Sequence, residues 1–180
     1  MKIFLLKILF LLLFILSFTG CKKNYLISEK QTIIFQYDYT NYAWGYQHNG
    51  FIIDNQGNIL TYNNPEDWNF RDKDMILTEE QVAENISKCQ LSGKKIPENE
   101  LRKFTAYIKK FASSEITAAK NVAADSGTAE YLCYQYSGTT GTYKGYLIRT
   151  EGDFTRENLN FYSKKVALWM KDINLSLSKK

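Results

Sequence analysis

The chain has 180 residues, of which 44% are hydrophobic and 15% aromatic, and it carries a formal net charge of +4. So small a surplus, on lysines scattered rather than gathered in a stripe, excludes a nucleic-acid binder of the basic-patch kind. Thirteen Tyr, eleven Phe and only two Pro describe a folded chain rich in strand-forming residues, with no internal repeat and no low-complexity tract.

The first predicted element is a secretory signal. Lys2 and Lys7 make a basic head, Ile8 to Leu16 is an unbroken apolar run, and Ser17-Phe18-Thr19-Gly20 precedes Cys21. The stretch from Ile8 to Phe18 would span about 16 Å as a helix at roughly 1.5 Å per residue. A bilayer core is about 30 Å thick, so the run is too short for a lasting transmembrane span. Phe18 also stands where simple release of a signal wants a small residue.

Thr19-Gly20-Cys21 after that run resembles the lipobox of bacterial lipoproteins. In that family the cysteine thiol is acylated, the chain is cut before it, and the new amino terminus is acylated as well. The resemblance implies a signal peptide over residues 1–20 and a lipid, of the palmitate kind, on Cys21. It further implies a membrane as partner and a tether over residues 21–30. Phe18 departs from the aliphatic residue usual in the family three positions before the cysteine. Two or more acyl chains anchor stably, at about 0.8 kcal/mol per buried methylene. Lys22 takes the place of the acidic residue that holds some lipoproteins at the inner membrane. The resemblance therefore implies the outer membrane, facing the periplasm.

Cutting before Cys21 leaves 160 residues and removes Lys2 and Lys7, lowering the net charge to +2. That length fits one domain, residues 31–180, able to bury roughly 70% of its unfolded surface.

Within it, Ile33, Phe35, Tyr37 and Tyr39 alternate as in a half-buried strand. The parity flips after Thr40-Asn41, to Tyr42, Trp44, Tyr46 and His48, and flips again after Asn49-Gly50. Two tight turns at these breaks predict a three-stranded meander with one aromatic face, since directly opposed residues share a face. Asp54 to Gly57 reads as a type I turn with glycine in the left-handed position, leading into a strand at Ile59 to Tyr62. Asn63 to Asp74 is an acidic loop. Thr78-Glu79-Glu80-Gln81 is a capping box opening a helix that presents Val82, Ile86 and Cys89 and ends at Gly93.

Pro97 suits the first turn of a second helix, with Leu101, Phe104, Ile108 and Phe111 as its stripe. Ala112 to Gly127 permits helix without requiring it. Strands at Ala129 to Tyr136 and Thr142 to Thr150 form a hairpin. A last helix is predicted from Thr155 to Leu175, on Leu159, Tyr162, Val166, Trp169 and Ile173. The order predicts an α+β fold: a largely antiparallel sheet with about three helices packed on one face.

No catalytic motif is present: no Gly-x-Ser-x-Gly elbow, no His-Glu-x-x-His and no phosphate loop. His48 is the single histidine, which rules out a cluster of imidazoles on one metal. Glu66, Asp67, Asp72 and Asp74 lack the spacing of a calcium loop. Neither a metal nor a cofactor is expected, and the chain reads as no enzyme. The feature above background is aromatic. Tyr42, Trp44, Tyr46 and His48 are the candidate binding residues, since Tyr and Trp suit contact surfaces and sugar stacking.

With Cys21 lipidated, Cys89 and Cys133 remain in an oxidising compartment and form a candidate disulfide. The expected function is a lipid-anchored envelope module that binds a protein or glycan. The alternatives are an inhibitor or immunity-type lipoprotein acting through the Asn63 to Asp74 loop, and a small hydrolase of envelope polymers.

Overall fold

The structure, a computed structural model, describes residues 30–179. The expected signal peptide, the expected lipidation site Cys21 and the expected tether up to residue 29 lie outside the described residues. Strands β1 (Ile33–Asn41), β2 (Gln47–Asp54) and β3 (Asn58–Asn63) are followed by the short β4 (Ile76–Thr78), helix α1 (Glu79–Ser87) and β5 (Gln90–Lys95). Helices α2 (Glu98–Thr105) and α3 (Ile108–Ala112) lead through β6 (Lys120–Asn121) to β7 (Thr128–Ser137), β8 (Thr142–Gly152), β9 (Phe154–Glu157) and α4 (Ser163–Ser178). The strands form one antiparallel sheet in the order β5-β3-β2-β1-β7-β8-β9-β6, with β4 paired to β8. The α+β class and the antiparallel sheet are those the sequence predicts, but the helices divide between the two faces instead of sharing one.

Its two faces bury different things. On the first, Phe35, Tyr37, Phe51, Tyr131 and Ile148 pack against Leu101, Phe104, Ile108 and Phe111 of α2 and α3 and Val166, Trp169 and Ile173 of α4. Trp169 lies edge-on to Phe35 at 5.2 Å and stacks on Phe104 at 4.1 Å. Side chains of this size contribute roughly 1.5–3 kcal/mol each on full burial. The second face gathers Ile52, Tyr62, Leu132, Tyr134, Tyr143 and Leu147 under Trp68, Leu77 and Val82. Helix α1 thus covers the face opposite α2 and α4. Its predicted capping box is present: Thr78 Oγ1 accepts from the Gln81 amide, and Gln81 Oε1 from the Thr78 amide.

The predicted meander, with turns at Thr40-Asn41 and Asn49-Gly50, is not the one formed: the three antiparallel strands are β1, β2 and β3. β1 runs on to Asn41 and pairs with Gln47, so Tyr42 to Tyr46 is the hairpin loop rather than a strand. Asn49-Gly50 lies inside β2, opposite Tyr39 and Asp38. The positive φ that the turn demands falls on Gly45, at 93°. Gly50 serves a different need, close approach: a Cβ there would clash with the Tyr37 carbonyl and stand 2.6 Å from the Tyr62 hydroxyl. Tyr37 and Trp44 are therefore not neighbours. A bulge between Ile33 and Phe35 also moves Ile33 to the second face.

Two other elements differ. The first helix stops at Ser87, and Gly93, at φ 75°, sits within the edge strand β5. Thr155 opens no helix. The segment Phe154–Glu157 extends along the free side of β8, with Arg149 opposite Glu157, and the helix starts at Ser163. Pairing an open strand edge satisfies backbone groups that a helical turn would otherwise leave to water.

The expected disulfide is corrected as well: Cys89 and Cys133 are both free thiols. Cys133 belongs to the first-face core, while Cys89 packs against the second, so the sheet stands between them. Burial raises both thiols, Cys89 to about 12.

Candidate functional site

The four predicted binding residues separate into two environments. Tyr42, Trp44 and Tyr46 lie on the β1–β2 hairpin loop and are 71%, 79% and 46% exposed. His48, two residues into β2, is 0% exposed.

The loop is held at its base by one side chain. Asn41 Oδ1 accepts from the Ala43 amide at 2.8 Å, and its Nδ2 donates to the Asp125 carbonyl at 3.3 Å and the Tyr39 hydroxyl at 3.1 Å. An Asx turn of this kind starts the reversal that Gly45 completes. Tyr42 and Tyr46 face each other across it, ring centroids 5.3 Å apart. With no core beneath it, the loop holds its aromatic rings in water. Three such rings on one short loop are the composition of a contact surface rather than of a packing element.

His48 occupies a sealed polar centre on the second face. Because a carboxylate only accepts, His48 Nε2 carries the proton and donates to Asp38 Oδ1 at 2.7 Å. The Tyr62 hydroxyl donates to the same oxygen at 2.7 Å and receives Gln36 Nε2 at 3.0 Å. Tyr134 donates to Gln36 Oε1 at 2.5 Å. Arg71 reaches in from the loop before β4 to the Tyr134 hydroxyl (3.1 Å), to Asp38 Oδ2 (3.4 Å) and to Glu130 (2.6 Å). Glu130 is a third exposed and brings the network to the surface.

Burial alone would raise the Asp38 pKa. The His48 hydrogen bond, the Arg71 charge and the Tyr62 hydroxyl together hold it below the ordinary carboxylate value. Burial, with the Asp38 charge beside it, pushes Tyr62 well up.

An aspartate orienting a histidine is half of a nucleophilic apparatus, and among the described residues no nucleophile is hydrogen-bonded to the other imidazole nitrogen. His48 Nδ1 is buried with no hydrogen-bond partner. The rings of Tyr62, Trp68 and Phe70 stand 5.1–5.4 Å from the imidazole centroid. The geometry makes this centre a keystone that ties β1, β2, β3, β7 and the covering loop together.

The acidic loop is pinned to the sheet by a few side chains while most of its residues stay exposed. Trp68 and Arg71 face the sheet, Asn69 exchanges hydrogen bonds with Asn85 of α1, and Asp72 Oδ1 accepts from the amides of Asp74 and Ile76. Glu66, Asp67, Asp72 and Asp74 are all at the surface. Among the described residues no group of His, Cys, Asp and Glu is arranged to hold a metal ion.

The sequence reading missed Gln36, Asp38, Tyr62, Arg71, Glu130 and Tyr134. One signal for them was there: Gln36 and Asp38 occupy the alternate positions of an otherwise apolar strand, which a buried second face turns inward.

Comparison of the chain with protein-family models, with curated proteins and with solved structures returned no match.

Proposed function

We propose that the protein is a lipid-anchored envelope module that works by binding, with the Tyr42 to Tyr46 hairpin as its contact surface. The observation that carries the reading is the exposure of Tyr42, Trp44 and Tyr46 on a loop braced by Asn41, while the single histidine is sealed. Aromatic side chains of this kind contribute large contact area at low entropic cost, and they dominate binding energies. The lipobox-like Thr19-Gly20-Cys21 supports the anchor, and a bacterial outer membrane facing the periplasm is the site it implies.

Co-sedimentation with isolated cell envelopes tests the reading, using an acyl-free Cys21→Ser form so that the lipid plays no part. The Cys21→Ser form is expected to co-sediment, and the same form carrying Tyr42→Ser, Trp44→Ser and Tyr46→Ser to stay in the supernatant. Equal sedimentation of the two forms would contradict it.

A further inference from the structure

Beside the hairpin lies an open cleft of about 370 Å³, lined by Thr40, Asn41, Tyr42, Ala43, Asp125, Gly127, Thr128 and Asp153. It is a built feature rather than a gap between loose loops. The Asp125–Gly127 turn is pressed onto the end of β1 so tightly that a Cβ on Gly127 would stand 2.6 Å from the Thr40 carbonyl. Gly127 meets this with a φ of 71°. Tyr39 donates to the Ser126 carbonyl at 3.1 Å, Asn41 donates to the Asp125 carbonyl, and the Ser126 amide donates to Asp153 Oδ1 at 2.8 Å. Hairpin base and turn therefore hold each other, and the cleft between them keeps its shape.

What lines it is unused. Among the described residues, the hydroxyls of Thr40 and Thr128, the Asp125 carboxylate and the second oxygen of Asp153 make no hydrogen bond within the protein. Two hydroxyls and two carboxylates form a short array of donors and acceptors, with Tyr42 as an aromatic wall and Trp44 and Tyr46 beyond it. No basic residue lines the cleft, so phosphates, uronic acids and acidic peptides meet only like charge. The volume sits at the lower end of the roughly 300–1,000 Å³ usual for small-molecule sites.

We infer that this cleft and the hairpin rings beside it bind an uncharged oligosaccharide. One sugar unit occupies the cleft, its hydroxyls paired to Asp125, Asp153, Thr40 and Thr128. The apolar C–H face of the chain lies on Tyr42, and the next unit extends toward Trp44. Polar pairing fixes the orientation, and ring stacking supplies the contact area. The inference rests on the binding reading above and names its ligand class.

The test uses a reporter already in the chain. Of the three tryptophans, Trp68 and Trp169 are buried and Trp44 is exposed. The full chain in detergent is titrated with the neutral tetramers chitotetraose, cellotetraose and maltotetraose, with trigalacturonate as an acidic control. At least one neutral tetramer is expected to shield the exposed tryptophan from acrylamide quenching, and trigalacturonate is not. Tyr42→Ala and Asp125→Asn should each weaken binding about tenfold or more without lowering the melting temperature. Asparagine tolerates the left-handed backbone of position 125, at φ 63°, so the second variant keeps the turn.

Failure of every neutral tetramer at about 10 mM overturns the inference, as does shielding by tetra-arginine in their place. Hairpin-dependent envelope retention alongside failure of all the sugars leaves the binding reading standing and removes the saccharide.

Discussion

Removing the Asp38 carboxylate would leave a buried Arg71 guanidinium and a buried His48 without their shared partner. Breaking one member of a buried charged pair costs about 3–5 kcal/mol, because the remaining charge stays desolvated. Asp38→Ala should lose stability of that order in urea titration, and a loss under about 1 kcal/mol would contradict the keystone role. The pH dependence has a definite sign. Asp38 has a folded pKa below its unfolded value of about 3.9, so its contribution is fully present above that value. The contribution is lost as pH falls through the lower folded value, and melting curves should be flat in this respect from pH 5 to 7 and drop only in stronger acid. The thiols offer a second check at the same scale. Unreduced, denatured protein should take up alkylating reagent at both Cys89 and Cys133. In the native state Cys133, fully buried, should resist, and Cys89 should react slowly. A protein that takes up no reagent until reduced would restore the disulfide.

Among the elements, the β1–β2 hairpin is the one whose sequence supports no core. Tyr42→Ser, Trp44→Ser and Tyr46→Ser together should change unfolding free energy by little more than about 0.5 kcal/mol per site, as exposed positions do. A cooperative loss of several kcal/mol would mean that the rings are structural. The elements also show which signals a sequence carries plainly. The Thr78–Gln81 capping box and the Asp54–Gly57 turn were legible because their hydrogen bonds close within four residues. The stripe Leu101, Phe104, Ile108 and Phe111 was legible because one apolar face must be buried. β5 and β9 were not, since edge strands are short and polar and are made by the neighbour they pair with. Gly50 misled for a related reason. Glycine marks either a turn or a close approach, and only the distant Tyr62 distinguishes them. The cleft is assembled from β1, the Asp125 turn and Asp153, over a hundred residues apart, and no local pattern announces it.

At the scale of the whole molecule, the sheet separates two tasks. One face and its helices build an apolar core. The other is locked by the Asp38 network, and the hairpin projects beyond both. An anchored tether of about ten residues, at most roughly 30–35 Å when extended, would hold such a domain close to the bilayer surface. Labelled palmitate should enter the wild-type chain and not Cys21→Ala, and equal labelling would remove the anchor from the account. The central claim concerns which surface meets a partner, and two highly exposed aromatic positions allow a direct contest. Phe161, 89% exposed, lies just before α4, far along the chain from Trp44. A photo-reactive phenylalanine analogue placed at position 44 or at position 161, irradiated in the intact cell envelope, reads out the contact surface. The account predicts discrete adducts from position 44 and none from position 161, whereas adducts from position 161 alone would contradict it.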